Sequence, residues 1–167
     1  GYTLFVGGTS SIAINPHVYK ANYKPLTDFA PITLLGSTTI TLVVHPSLQV
    51  KTARELVRLA AKRPDEINYG SAGVGATYHI AMAVFCSVTG VKLTHIPNKG
   101  SQEALTDLVA GRTQVQADAA HVVQPFVLAG KIRAIGVMNK GRSPLLPDVP
   151  TLSEQGFKGL DLDSGVG

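Results

Sequence analysis

Short apolar runs alternate along this chain with longer segments in which apolar residues recur every three or four positions. Short runs of this kind are typical of strands, and the longer periodic segments are typical of helices. Because the two signals alternate, we predict an α/β fold in which helical crossovers join the strands of parallel sheets. Strands are predicted at residues 2–6, 32–35, 40–45, 67–69, 91–96, 113–117 and 132–138, and helices at 17–20, 52–62, 75–88, 101–110 and 122–129.

Two segments carry the capping-box pattern, Thr52-Ala-Arg-Glu55 and Thr151-Leu-Ser-Glu154. In a capping box the threonine hydroxyl and the glutamate carboxylate accept N–H groups that the first helical turn leaves unpaired. We therefore predict a helix start at each of them, the second helix being short because Gly156 follows. Three prolines in residues 142–150 predict a loop, since proline fits neither a helix interior nor an inner strand.

The composition, with 44% hydrophobic and 16% charged residues and no long uninterrupted apolar run, fits a soluble globular chain. A chain of 167 residues has enough core for one or two compact lobes. The formal net charge is +4, but the basic residues are scattered and aromatic residues are few, which disfavours nucleic acid. A small anionic ligand and ordinary solubility both fit this charge. The single cysteine, Cys86, excludes an intrachain disulfide and is expected to be a buried, unreactive thiol.

The most informative segment runs from Ile67 to His79, where a strand signal passes through a glycine turn into a helix signal. Glycines let the backbone turn sharply beside a ligand, and the unpaired N–H groups of a helix start attract an anion. Residues 95–100 repeat this arrangement and add Lys99, and a third unit ends in Asp118. Amides and hydroxyls placed in this way suit a carboxylate. The alternative is that these are ordinary strand-to-helix turns, with Lys99 solvated and Asp118 bonded to neighbouring amides.

The sequence supports catalysis less well than it supports a binding site. Ser71 precedes the glycine turn, but the Gly-x-Ser-x-Gly pattern of hydrolases is missing. A hydrolase or transferase that uses Ser71 would need a base beside it, for which His79 is the near candidate. The glycines do not match a Walker or dinucleotide pattern, and none of the five histidines has metal-ligand spacing. We expect His79 and His95 to be structural, and we predict no catalytic residue, no metal and no cofactor.

Ordered motifs along almost the whole chain resemble those of the periplasmic solute-binding receptors of tripartite tricarboxylate transporters, the Bug or TctC-like family. They comprise Gly1-Tyr-Thr-Leu4, Ala13-Ile-Asn-Pro16, Asp28-Phe-Ala-Pro31, Asn68-Tyr-Gly-Ser71, His95-Ile-Pro-Asn-Lys-Gly100, Ala104-Leu-Thr-Asp107, Ala129-Gly-Lys-Ile-Arg-Ala134 and residues 142–151. The resemblance implies a two-lobed periplasmic binding protein of type II, which closes on an organic anion like a Venus flytrap and is not an enzyme. It also implies that lobe one occupies residues 1–39 and 137–167, and lobe two residues 40–136.

The resemblance also implies a ligand site between the lobes, where amides, hydroxyls and ordered waters hold a small organic acid or amino acid for delivery to the membrane subunits of the transporter. The positions that correspond to the family's ligand loops are Thr9, Ser10, Ser11, Ser71, Gly75, Ala76, Thr77, Lys99, Gly100 and Asp118. The family often has Tyr where Asn98 stands, a hydroxyl residue where Ala76 stands and His near Ile12. Monocarboxylate, dicarboxylate, aromatic acid and amino acid ligands therefore all remain open.

Members of this family are longer than this chain, which begins inside a strand signal without an initiating methionine or a signal peptide. We therefore expect a periplasmic location, a missing natural start and an incomplete lobe one. An incomplete lobe exposes an unpaired sheet edge and apolar surface, which favours self-association or domain swapping. Size-exclusion chromatography with light scattering tests this expectation, and a monomer at all concentrations counts against it.

Overall fold

The computed structural model describes residues 3–166 of the chain. Its strands are β1 (Gly36–Thr38), β2 (Ile40–Val44), β3 (Asn68–Ser71), β4 (Thr94–Pro97), β5 (Val115–Ala119), β6 (Arg133–Val137) and β7 (Ser164–Val166). Its helices are a π-helix (Ser10–Ile14), α1 (Asn15–Val18), α2 (Pro25–Asp28), a 3-10 turn (Pro46–Leu48), α3 (Ala53–Lys62), α4 (Thr77–Thr89), α5 (Ser101–Val109) and α6 (Ala120–Leu128). Among these helices, none has the length and apolar character needed to cross a bilayer.

The main sheet has five strands in the order β4-β3-β5-β2-β6, and a second sheet pairs β1 with β7. Strand β3 runs parallel to β4 and β5, whereas β2 runs antiparallel to β5 and β6. The prediction of parallel sheets is therefore wrong for β2. The chain reaches β2 directly from the second sheet and not through a helical crossover, so no crossover requires β2 to run parallel to its neighbours.

Helices cover both faces of the five-stranded sheet. Helices α3 and α4 pack on one face, where Leu56 and Phe85 join Tyr69 of β3 in a buried cluster. Helices α5 and α6 pack on the other face, where Leu108 and Val123 join Val43 of β2. The two apolar clusters make this part of the chain a three-layer α/β/α lobe.

The part of the chain before the sheet departs from prediction. Residues 3–6 and 32–35 form no strand, and Tyr2 of the first predicted strand lies outside the described residues. Residues 7–16, which lie between the first predicted strand and the first predicted helix, contain the π-helix and the start of α1. An apolar run forms a strand only where another strand offers a ladder of hydrogen bonds. Residues 36–38 have such a ladder with β7, whereas the run at 32–35 reaches β7 at its last residue, where the amide of Leu35 donates to the carbonyl of Val166 at 2.8 Å.

The two capping boxes have different outcomes. At α3 the hydroxyl of Thr52 accepts the amide of Glu55 at 3.2 Å, and a ten-residue helix follows as predicted. At the second box the reciprocal bonds between Thr151 and Glu154 also form, at 2.6 and 3.0 Å, but only turns follow. Gly156 adopts a φ of +89°, which ends the turn before a helix can propagate. The predicted short helix is therefore wrong.

Candidate functional site

Three helices begin at one edge of the main sheet. Because β4, β3 and β5 are parallel neighbours, their carboxyl ends lie side by side, and α4, α5 and α6 follow them. The turns after β3 and β4 touch each other: the amide of Asn98 donates to the carbonyl of Ser71 at 2.9 Å. This edge is where ligands bind in open α/β sheets.

The start of α4 presents amides that have no acceptor inside the helix. The first hydrogen bond within this helix joins the amide of Ile80 to the carbonyl of Ala76 at 3.0 Å. The amides of Thr77, Tyr78 and His79 come before that bond and have no acceptor inside the helix. These amides carry the positive end of the helix dipole.

Residues 10–19 lie directly over this helix start. The hydroxyl of Ser10 accepts the amide of Thr77 at 3.0 Å and also bonds to the hydroxyl of Thr77. The phenol of Tyr19 donates to the carbonyl of Val74. Gly75 has a φ of +79°, and a Cβ atom there would lie 3.1 Å from the ring of Tyr19, so glycine is required both for the turn and for the close approach. The structure therefore brings Ser10 together with residues 75–77.

Other predicted ligand residues make contacts elsewhere. The hydroxyl of Thr9 accepts the amide of Gly165 at 2.9 Å, which ties it to β7. The carbonyl of Ser11 accepts the phenol of Tyr23 at 2.5 Å. Lys99 is exposed at the start of α5, where Gly100 is the residue before the first helical turn.

Ser71 is turned into the protein. Its side chain is 1% exposed, and its hydroxyl lies 2.6 Å from Nε2 of His95 and 3.2 Å from the amide of Gly73. The base beside Ser71 is therefore His95, and the expectation that it would be His79 is wrong. The register of β3 and β4 brings these two residues together. His95 of β4 pairs with Tyr69 of β3, and Ser71 lies two positions after Tyr69 in the same strand. Sequence spacing does not reveal this contact across the sheet.

The two imidazoles form a stack with a tyrosine. The ring of His95 lies 4.8 Å from that of Tyr69 and 4.2 Å from that of His79. Burial lowers the pKa of His79, and burial together with the neighbouring His79 lowers the pKa of His95. The lowered pKa favours the neutral form of both rings. Within residues 3–166 no carboxylate bonds to His95, so the contact lacks the third member of a catalytic triad.

Asp118 is also buried, with 1% of its surface exposed. Its carboxylate accepts the amide of Ala119 and the side-chain amide of Gln116, both at 2.7 Å. Burial raises the pKa of Asp118, and burial together with the charge of Asp118 raises the pKa of Tyr78 in α4 to about 12. The carboxyl group therefore lies near the first turn of α4, bonded to neighbouring amides.

The three helix starts differ in charge. Glu103 lies in the first turn of α5, and Asp118 bonds to the amide just before α6. The first turn of α4 contains no acidic residue. In the described part of the chain, no group of three or more metal-ligating side chains lies close together. Two pockets of about 310 and 290 Å³ lie away from this edge, one along residues 21–28 and one between α5 and α6.

An α/β/α lobe whose uncharged helix start is covered by residues 10–19, beside Thr9 and its bond to β7, fits the class of periplasmic binding proteins. The chain belongs to the tripartite tricarboxylate transporter family of receptors, because the model of that family matches residues 1–167. The resemblance seen in the sequence motifs is therefore confirmed.

Curated relatives extend beyond this chain. An Agrobacterium vitis protein from the TAR-I ttuE-ttuC' intergenic region is 32% identical over 167 residues, which is 98% of this chain and 47% of the relative. BugT of Bordetella pertussis is 28% identical over 162 residues, covering 94% of this chain and 49% of its own length. The chain thus spans about half the length of the curated relatives that it matches.

Solved structures confirm the fold class. R. palustris Rpa4515 with adipate superimposes with a TM-score of 0.89 at 34% identity, covering 96% of this chain and 54% of that chain. MatC from Rhodopseudomonas palustris with bound malate gives a TM-score of 0.85 at 26% identity, covering 97% of this chain and 55% of that chain. The periplasmic binding protein BugD gives a TM-score of 0.86 at 28% identity, covering 97% of this chain and 54% of that chain. These relatives are solute-binding proteins.

Proposed function

We propose that this chain belongs to a periplasmic receptor that captures a small organic carboxylate between two lobes and delivers it to the membrane subunits of a tripartite tricarboxylate transporter. Family membership supports the transporter partner and the periplasmic location. The similar structures with adipate and malate support a carboxylate ligand. The proposed lobes are residues 1–39 with 137–167, and residues 40–136.

The observation that carries this proposal is the start of α4. Three amides without an acceptor inside the helix lie there, the first turn itself contains no acidic residue, and the hydroxyl oxygen of Ser10 accepts the amide of Thr77. A carboxylate oxygen is a stronger acceptor than a hydroxyl and gains further from the helix dipole. A ligand that takes the place of Ser10 would therefore be held by amides and by the hydroxyl of Thr77.

The predicted ligand residues differ in how much the geometry supports them. Ser10, Gly75, Ala76 and Thr77 surround the proposed position, and Lys99 is exposed and adds a positive charge at the same edge of the sheet. Contact of the ligand with the other predicted residues stays a prediction, since the groups of Ser71 and Asp118 are buried and bonded inside the lobe. These other residues are Thr9, Ser11, Ser71, Gly100 and Asp118.

Isothermal titration of the 167-residue chain with adipate and with malate at pH 7.5 tests the proposal. We expect saturable binding that Thr77→Val weakens about 10-fold, because the ligand loses one charge-assisted hydrogen bond of about 1.5 kcal/mol. Thr106→Val is the matched control, since Thr106 is an exposed threonine of α5 whose hydroxyl bonds to its own helix at 2.8 Å. Equal losses in both variants, or no binding of either acid, would contradict the proposal.

The contact of 2.6 Å between Ser71 and His95 favours a hydrolase or transferase as the second candidate. An enzyme of this kind would cleave an activated ester such as p-nitrophenyl acetate, and Ser71→Ala would abolish the turnover. Ser153→Ala, which changes an exposed serine, is the control. Because Ser71 is buried and its hydroxyl is shared with Gly73, we expect the unchanged protein, Ser71→Ala and Ser153→Ala to show the same background hydrolysis.

A further inference from the structure

Helices α3, α4 and α5 begin with the same kind of hydrogen bond. In each, the side chain at the third helical position accepts the amide that lies four residues before it. In α3, Glu55 accepts the amide of Lys51 at 2.6 Å. In α5, Glu103 accepts the amide of Lys99 at 2.9 Å. In α4, Nδ1 of His79 accepts the amide of Gly75 at 3.3 Å.

The helices differ in the charge of that acceptor. A glutamate places a full negative charge at the helix start, where it occupies the favourable field of the dipole. Nδ1 of His79 accepts an N–H and therefore carries no proton, so this ring is neutral. The titratable groups packed near it are His95 of β4, Tyr69 of β3 and Tyr78 of α4, and Asp118 of β5 lies beyond Tyr78. None of them donates a proton to Nδ1 of His79 in the described hydrogen bonds.

We propose that His79 is a positioning residue that performs the capping task of a glutamate without its charge, and so leaves the start of α4 able to receive an anionic solute. Its bond to Gly75 fixes the turn that presents the amides of residues 77–79. A glutamate at the same position would fix the turn equally well but would repel a carboxylate. The selectivity of the site for anions therefore depends on a neutral acceptor at this position. This inference rests on the proposed carboxylate-binding function.

Three substitutions separate the capping task from the charge. His79→Gln keeps a neutral acceptor, His79→Glu keeps an acceptor but adds a charge, and His79→Leu removes the acceptor. We expect His79→Gln to bind adipate or malate within about threefold of the unchanged protein. We expect His79→Glu to bind about 100-fold more weakly, the loss that a like charge a few ångströms away produces at a partly buried site. Glu55→Gln, at the equivalent position of α3, is the matched control and should change affinity less than about twofold.

A measurement without ligand tests the capping task separately. Hydrogen exchange of the Gly75 amide, followed by NMR at pH 7.5, should be slow in the unchanged protein and in the Gln and Glu variants, and about 10-fold faster in His79→Leu. Equal exchange in the unchanged protein and His79→Leu overturns the inference, as does equal carboxylate affinity in the unchanged protein and His79→Glu. If the unchanged protein binds neither acid while Gly75 is protected as expected, the proposed function fails and the capping role of His79 remains.

Discussion

The sheet lobe, residues 40–137, and the segment of residues 3–35 contain similar apolar side chains but bury them to very different extents. In the sheet lobe, Leu42 and Leu108 are fully buried. In the segment, Leu4 is 78% exposed and Leu26 is 96% exposed. The difference lies in the layers: the sheet lobe has helices on both faces of a sheet, whereas residues 3–35 have no such layer within the described residues. Apolar content alone therefore does not predict which part of the chain provides stability.

The two regions have different parts in the proposed function. The sheet lobe fixes the start of α4 through a buried core, while residues 10–19 contact it through the hydrogen bonds of Ser10 and Tyr19. A few polar contacts are worth much less than a buried core, so separating this segment from α4 costs far less than unfolding the lobe. An arrangement of this kind suits a site that opens and closes around a solute.

The largest expected effect comes from truncating one leucine in each region. Leu108→Ala should lower the free energy of unfolding by about 2–5 kcal/mol, because it removes buried methyl groups and leaves a cavity. Leu26→Ala should change it by less than about 0.5 kcal/mol, since that side chain is already in water. Urea unfolding followed by circular dichroism measures both. Similar losses in the two variants would mean that Leu26 is covered in solution and that the contrast between the regions is wrong.

The same contrast explains which strands could be predicted. The runs at residues 40–44 and 133–137 are apolar and lie in a sheet whose neighbours are buried, so their local pattern matches the structure. The run at 32–35 is equally apolar but forms no strand. The strand that does form, β1, is defined by its pairing with β7, more than a hundred residues away. Pairing of this range leaves no local signal, and the same holds for the antiparallel direction of β2.

Some parts of the candidate site could likewise be predicted from the local sequence, and others could not. The glycine turn at residues 73–75 and the start of α4 follow from local residue types, whereas the bond from the Gly75 amide to His79 matches no standard capping pattern. The contact between Ser10 and Thr77 spans 67 positions and was expected only from the family resemblance. The contact between Ser71 and His95 depends on the register of two strands, which is why the expected base was wrong.

Two glycines extend the comparison to the two sheets. A Cβ atom on Gly136 of β6 would lie 2.4 Å from the side chain of the buried Leu152, whereas one on Gly36 of β1 would meet no atom within 4 Å. Gly136→Ala should therefore destabilise the protein by about 1–3 kcal/mol through overpacking. Gly36→Ala should stabilise it by up to about 0.5–1 kcal/mol, because alanine loses less conformational freedom on folding. Thermal unfolding distinguishes the two, and a stabilising Gly136→Ala would show that the sheet lobe is packed more loosely than described.

The smallest expected effect compares two aspartates of the sheet lobe, the buried Asp118 and the half-buried Asp107. Burial raises the pKa of Asp118, so the folded state holds this proton more tightly than the unfolded chain does. The stability that this group contributes is present below its ordinary pKa of 3.8 and is lost as the pH rises through the raised value. Asp118→Asn should therefore increase stability at pH 7 by more than it does at pH 3.5.

The stability that Asp107 contributes should depend on pH in the opposite direction. Hydrogen bonds from Arg112 and Asn98 lower the pKa of Asp107, so its contribution is present above the ordinary pKa of 3.8 and is lost as the pH falls through the lowered value. Asp107→Asn should consequently decrease stability at pH 7 and have less effect at pH 3.5, although the change is small because its partner Arg112 is exposed to solvent. Urea midpoints of the two variants at both pH values test the pair. Shifts of the same sign would show that burial does not control the titration of Asp118.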